Sequence, residues 1–167
     1  MDAAPLAVTI IGAGALGSLI GARLADAGHR VTLFGRRPEH IRAIREGGLA
    51  IEELDGRVTT RHVGATTDPG EASDADLAIV LVKTVDTAAA LAPFRGRLGP
   101  ATALLTLQNG LGNDATIRAT LGEEIPLMLG VTAAGATLLG PGWVRHAGSG
   151  PTTIGWAGRA PDGRLEA

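Results

Sequence analysis

Gly12, Gly14 and Gly17, with Ala13, Ala15 and Leu16 between them, make a Gly-x-Gly-x-x-Gly run. The chemistry that fits such spacing is the binding of a diphosphate. The first glycine permits a tight turn, the second lets a pyrophosphate approach the backbone, and the third lets a helix lie close to a strand. Amides at the start of that helix then face the anion, and the helix dipole favours it. The run gains its weight from context, because it follows an apolar stretch, Leu6 to Ile11, and opens a helical one. A glycine-rich structural turn is the plainer alternative.

Further residues could act beside that loop. The next apolar stretch ends Phe34-Gly35-Arg36-Arg37, and no carboxylate appears until Glu39. A site for NAD usually has Asp or Glu there, accepting a hydrogen bond from the ribose 2′-hydroxyl. A guanidinium makes paired, charge-assisted hydrogen bonds to a 2′-phosphate instead. The expected ligand is therefore NADP(H), with Arg36 the first candidate for its phosphate and Arg37 the second, against the alternative of two solvated arginines. Lys83, the only lysine of the chain, directly follows the apolar run Leu77–Val82, and Asn109 follows Ala101–Leu107. Ligands of parallel sheets bind at such strand ends. A compact ammonium suits an oxyanion or a ribose hydroxyl. Spacing alone leaves Lys83 equally readable as an exposed strand-end residue, and Asn109 as a turn residue tolerating positive φ.

The elements that must position these residues alternate. Leu6–Ile11 reads as a buried strand, and Leu16, Leu19, Ile20, Leu24 and Ala27 recur at helical spacing before Gly28. Val31–Phe34 is a second strand, closing a βαβ unit of about thirty residues. Pro38 opens a helix with Ile41 and Ile44 inward. Leu49–Leu54 and Val58–Val63 flank Asp55-Gly56 as a hairpin. Leu77–Val82, Ala101–Leu107 and Leu127–Val131 read as strands, and Val85–Leu91 and Gly112–Leu121 as helices. Short β runs, Trp143–His146 and Thr152–Trp156, close the pattern. The fold class expected is α/β, a Rossmann-like, doubly wound, mostly parallel sheet with a β-hairpin excursion. Residues 1–158 form the domain, and 159–167 read as a linker or tail.

Composition narrows the function. A length of 167 residues with 45% apolar content supports one domain with a core of its own. The net charge of −2 and the lack of a basic block argue against nucleic acid and anionic membranes. The chain has no Cys, and its four His are scattered without metal-ligand spacing, so no metal is expected. His146 reads as a partly buried strand residue. The uncharged stretch from Ala3 to Ala22 contains Gly17-x-x-x-Gly21, a spacing also used by membrane helices. Four glycines within it and a start of Met1-Asp2 favour strand, turn and helix over a membrane span or signal peptide. A cytoplasmic location is the simplest expectation.

The ordered set of segments resembles the N-terminal domain of the ketopantoate reductase (2-dehydropantoate 2-reductase) family. The matching residues run Ile10-Ile11-Gly12-Ala13-Gly14-Ala15-Leu16-Gly17, then Arg36, Leu81-Val82-Lys83-Thr84 and Leu107-Gln108-Asn109-Gly110-Leu111-Gly112. They continue through Gly130-Val131-Thr132-Ala133-Ala134-Gly135-Ala136 and Gly140-Pro141-Gly142-Trp143-Val144-Arg145-His146-Ala147-Gly148. The resemblance implies that Gly12 to Gly17 cradle the pyrophosphate of NADP(H) and that Arg36 holds its 2′-phosphate. It implies that Lys83 and Asn109 line the cleft near the nicotinamide ribose and the substrate, and that Ala136 meets the cofactor through its backbone. The implied reaction is NADPH-dependent reduction of ketopantoate to pantoate, on the way to pantothenate and coenzyme A. Family members carry a further helical domain with the principal catalytic Lys, which this sequence does not include. The chain alone is therefore expected to bind NADPH and to turn over poorly, with a homodimer a candidate assembly of the full-length form. Another two-domain NADP-dependent 2-keto or 2-hydroxy acid dehydrogenase, or a non-catalytic NADP-sensing module, are the alternative readings.

Overall fold

The computed structural model describes residues 4–158. β1 (Ala7–Ile11) leads into α1 (Ala15–Asp26), β2 (Arg30–Phe34) and α2 (Pro38–Gly47). A hairpin of β3 (Leu49–Glu52) and β4 (Val58–Arg61) follows, then β5 (Gly64–Thr66) and β6 (Leu77–Val80). A 3-10 turn, Thr84–Asp86, runs into α3 (Thr87–Leu91). A second such turn, Ala92–Phe94, carries the chain past Pro93 to β7 (Ala103–Thr106) and α4 (Asn113–Leu121). β8 (Leu127–Thr132), β9 (Gly135–Gly140), β10 (Trp143–Gly148) and β11 (Thr152–Trp156) complete the order.

Seven strands form one sheet in the order β11-β8-β7-β6-β1-β2-β5. Every pair is parallel except β8 with β11. With β5 as its third strand, the sheet has the 3-2-1-4-5-6 order of a doubly wound Rossmann-like fold, extended by one antiparallel edge. The chain builds outward from β1 through β2 to β5 and then returns to the other side of β1 with β6. The carboxyl ends of β1 and β6 thus flank the topological switch point, where such sheets open a crevice. Both faces of the sheet are covered, so the central strands read as near-continuous apolar runs. Val8, Ile10 and Leu33 belong to one core cluster, while Ile11, Val80 and Leu104 join Phe94 and Ile117 in the other.

A second sheet, of order β4-β3-β10-β9, lies against α1. It unites the expected hairpin with the first of the C-terminal β runs through a parallel pairing of β3 and β10, whereas the second run, β11, edges the main sheet. α1 is therefore enclosed from two sides, and Gly17, Ser18, Leu19, Gly21 and Ala22 are all buried. A Cβ on Gly21 would lie 2.6 Å from Leu33 Cδ2, and one on Gly17 would overlap the Gly12 carbonyl oxygen. The Gly17-x-x-x-Gly21 spacing thus brings α1 onto the main sheet. No helix of the described residues is long and apolar enough to cross a membrane.

The polar side of α1, with Arg23 and Asp26, carries the second sheet. The Arg23 guanidinium donates to both oxygens of Glu53, at 3.0 and 2.5 Å, and Arg61 pairs with Asp26 at 2.9 Å. His146, half-buried in β10, approaches Glu53 at 3.6 Å and shares a hydrogen bond with Ser149. Strands β5 and β9 have no counterpart in the expected elements, and the expected helix from Val85 begins as a 3-10 turn. The linker or tail expected at 159–167 lies outside the described residues.

Candidate functional site

The glycine run turns the chain from β1 into α1 at the switch point. Gly12 has φ of +118°, and a Cβ there would sit 2.8 Å from the backbone of Leu81 beyond β6. Only glycine fits so close an approach at a positive φ. The amides of Gly12 and Ala13 both donate to the Phe34 carbonyl at 3.0 Å, pinning the loop to the end of β2. Gly14 is the N-cap of α1, with no side-chain cap and no acidic residue in the first helical turn. Among the described residues, the amides of Ala15 and Leu16 donate to no backbone carbonyl outside the helix. A Cβ on Gly14 would meet nothing within 4 Å. A positive helix end, with free donors and open space before it, fits a diphosphate.

A cleft of about 480 Å³ opens over this loop. Gly12, Ala13, Gly14 and Ala15 form one wall, and Leu81, Val82 and Ile41 are among its apolar lining. Phe34 also lines it, braced edge-on by Phe94 with ring centroids 4.9 Å apart. Arg36 and Arg37 come from the end of β2, and Lys83 and Asp86 from the end of β6. Arg36 Nη2 lies 3.1 Å from Asp86 Oδ1, so this pair bridges the two strand ends. Arg36, the residue expected to bind the phosphate, thus stands in the cleft already engaged by a carboxylate. Arg37 also lines the cleft, as the N-cap residue of α2.

His40 lines the cleft as well, although it is only 1% exposed. Its Nδ1 accepts a hydrogen bond from the Gly142 amide at 2.9 Å. The proton therefore belongs on Nε2, which lies 3.1 Å from Ser18 Oγ and donates to it. Burial, with the Arg37 charge in second place, holds the imidazole pKa below its ordinary value. One neutral ring thus joins α2, α1 and the β9–β10 turn beside the cleft. Helical spacing from His40 to the inward Ile44 was the signal available in the sequence.

Lys83 is exposed, lines the cleft and enters no ion pair among the described residues. Asn109 is exposed on the neighbouring loop and is not among the residues lining the cleft. The two loops are tied: Thr84 Oγ1 donates to the Asn109 carbonyl at 3.0 Å. Positive φ in that loop falls on Gly110 and Gly112 and not on Asn109. Beneath them lies buried Gln108, whose Nε2 donates to the Val82 carbonyl and to Thr87 Oγ1, each at 2.8 Å. Sequence reasoning passed over Gln108, though it sits next to Asn109 at a strand end. Ala136 lies in β9, half-buried against the core, and the residue of that strand lining the cleft is Leu138, two positions along. Leu16 and Gly17 shape the loop from within the helix and do not line the cleft. Among the described residues there is no cluster of His, Asp or Glu able to hold a metal ion.

The chain is similar to known proteins along almost all of its length. The family model described as ketopantoate reductase PanE/ApbA matches residues 8–158. A 2-dehydropantoate 2-reductase of Halobacterium salinarum is 44% identical over 161 residues, covering 95% of this chain and 52% of the relative. The crystal structure of a PanE/ApbA family ketopantoate reductase from Ralstonia eutropha superimposes with a TM-score of 0.82 at 38% identity, covering 89% of this chain and 48% of that one. D-mandelate dehydrogenase, in a ternary structure with NADH and anilino(oxo)acetate, gives a TM-score of 0.81 at 30% identity, covering 89% and 47%. The chain spans about half the length of the curated relatives it matches. With a Rossmann-like sheet, a glycine loop at its switch point and a family match from Val8 to Gly158, the chain belongs to the PanE/ApbA ketopantoate reductase family of oxidoreductases.

Proposed function

We propose that residues 1–158 are the NADP(H)-binding domain of an NADPH-dependent 2-dehydropantoate 2-reductase, which reduces ketopantoate to pantoate for pantothenate and coenzyme A synthesis. Residues 159–167 would then link it to a catalytic domain. The observation that carries the reading is the uncapped start of α1 facing a cleft rimmed by Arg36, Arg37 and Lys83. The bound cofactor would supply the hydride. The amides of Ala15 and Leu16 would bind its diphosphate, and Arg36 its 2′-phosphate. Lys83 and Asn109, coupled through Thr84, would orient the nicotinamide ribose and the keto acid at the strand ends. Gln108 fixes the backbone on which both stand. Ala136 would contribute backbone contact from β9.

The test is cofactor binding by calorimetry for the chain and for Arg36→Ala. Loss of a charge-assisted pair at an exposed site should weaken NADPH by roughly tenfold and NADH far less. An unchanged NADPH-to-NADH affinity ratio in the variant would remove Arg36 as the phosphate's holder, and the same result in Arg37→Ala as well would remove the NADP(H) reading. A second reading has its own support, because D-mandelate dehydrogenase shares the fold at 30% identity and is seen with NADH. On that reading the full-length protein is a different 2-keto or 2-hydroxy acid dehydrogenase. Assaying a protein of the relatives' full length against a panel of 2-keto acids separates the two. Preference for ketopantoate with NADPH supports the first, preference for an aryl keto acid supports the second, and turnover of none points to a cofactor-sensing module.

A further inference from the structure

We infer that Asp86 sets cofactor preference by competing with the 2′-phosphate for the Arg36 guanidinium. The inference rests on the NADP(H) reading above and adds a residue that opposes it. Arg36 stands at the end of β2 and Asp86 at the end of the 3-10 turn after β6, and their 3.1 Å contact spans the two sides of one cleft. Asp86 is the only carboxylate among the described residues lining that cleft, against Arg36, Arg37 and Lys83. Its backbone is held in place. The Asp86 amide donates to the Lys83 carbonyl at 2.8 Å, Thr84 is tied to the Asn109 carbonyl, and Gln108 holds Val82 and Thr87 on either side of the turn. The carboxylate can therefore swing aside by side-chain rotation, while its charge stays near the guanidinium.

A phosphate on Arg36 must displace the carboxylate from the nitrogen it holds and then tolerate it as a close like charge. A ribose 2′-hydroxyl carries no charge, so it does neither, and it can donate a hydrogen bond to a carboxylate. The penalty thus falls on NADPH and spares NADH. The paired side chains are 59% and 39% exposed, so water screens the effect and keeps it modest.

The experiment measures NADPH and NADH affinities for the chain, for Asp86→Asn, for Asp86→Ser and for Arg36→Ala, at low and high salt. Both uncharged variants should bind NADPH about three- to fivefold more tightly, with NADH unchanged or weaker, and the gain should shrink at high salt. A purely structural role for Asp86 would move both nucleotides together and would not respond to salt. If Arg36→Ala lowers the NADPH-to-NADH ratio but both Asp86 variants leave it unchanged or lower it, the inference is overturned and the NADP(H) reading stands. If Arg36→Ala leaves the ratio unchanged, Arg36 does not hold the phosphate and the inference is overturned with that assignment.

Discussion

The imidazole of His40 is used at both nitrogens, as acceptor for Gly142 and donor to Ser18, with almost no exposure to water. Replacing it with Phe keeps the volume but leaves the Gly142 amide without its acceptor, at a cost of about 1–3 kcal/mol. A pH signature should accompany the loss. Burial lowers the pKa of His40 in the folded chain, whereas the unfolded imidazole protonates at about 6.5. Stability is whole above about 6.5; below it the unfolded state binds more protons, so stability falls as pH drops toward the folded pKa. Urea midpoints of the parent chain should therefore decline on acidification through this window, and those of His40→Phe should decline less. Equal slopes would show that another group governs the effect. Spacing from Ile44 could place His40 on the inner face of α2, but its pairing with Gly142 was not legible, because the two are 102 residues apart. Arg36 and Lys83 were readable as candidates because each stands just past the end of an apolar run. Asp86 was not, because nothing local says that a 3-10 turn will aim it at a residue after another strand.

Two glycines of α1 face the main sheet, and the cost of filling them should differ. A methyl on Gly17 would collide with the Gly12 carbonyl, which is backbone of the phosphate loop itself. A methyl on Gly21 would meet the far end of the Leu33 side chain and not backbone. Ala also favours a helix over Gly by about 1 kcal/mol, partly offsetting either clash. Gly17→Ala is expected to lose about 1–3 kcal/mol of stability and most NADPH affinity, because the helix and the loop cannot both keep their places. Gly21→Ala should stay within about 1 kcal/mol and bind normally. Thermal unfolding and NADPH titration of the pair check this, and equal binding defects would show that Gly17 holds no special relation to the loop. At this scale the sequence spoke clearly for the main sheet. Its central strands are apolar runs between glycine and proline punctuation, and the helices between them carry a periodic face. β5 escaped because it is three residues long and starts at Gly64. The second sheet escaped because its central pairing joins segments far apart in the chain, with Glu52 and Arg145 93 residues from each other.

The two sheets make α1 a shared layer, and that arrangement couples the cleft to residues that do not line it. Leu138 lines the cleft from β9, and Gly142, between β9 and β10, orients His40. Both depend on how the second sheet is seated. Its seat on α1 includes Glu53, which takes both guanidinium arms of Arg23, faces Arg61 at 3.3 Å and lies near His146. The hydrogen bonds from Arg23, aided by the charges of Arg23 and Arg61, bring the Glu53 pKa down from 4.5 to about 2. A depressed carboxylate pKa contributes stability above the unfolded value and loses it as pH falls toward the folded one. The contribution should be whole at neutral pH and fade between 4.5 and about 2. Glu53→Gln is expected to cost about 1–2 kcal/mol at neutral pH, since solvent around Arg23 screens part of the pair. The gap between variant and parent should narrow through the acid window. The variant should also bind NADPH more weakly at neutral pH, even though Glu53 is absent from the cleft lining. Urea unfolding across pH, paired with NADPH titration, separates the two effects. A stability loss with unchanged affinity would mean that the cleft keeps its shape without the second sheet's anchor, and that the glycine loop and the strand ends suffice to hold the nucleotide.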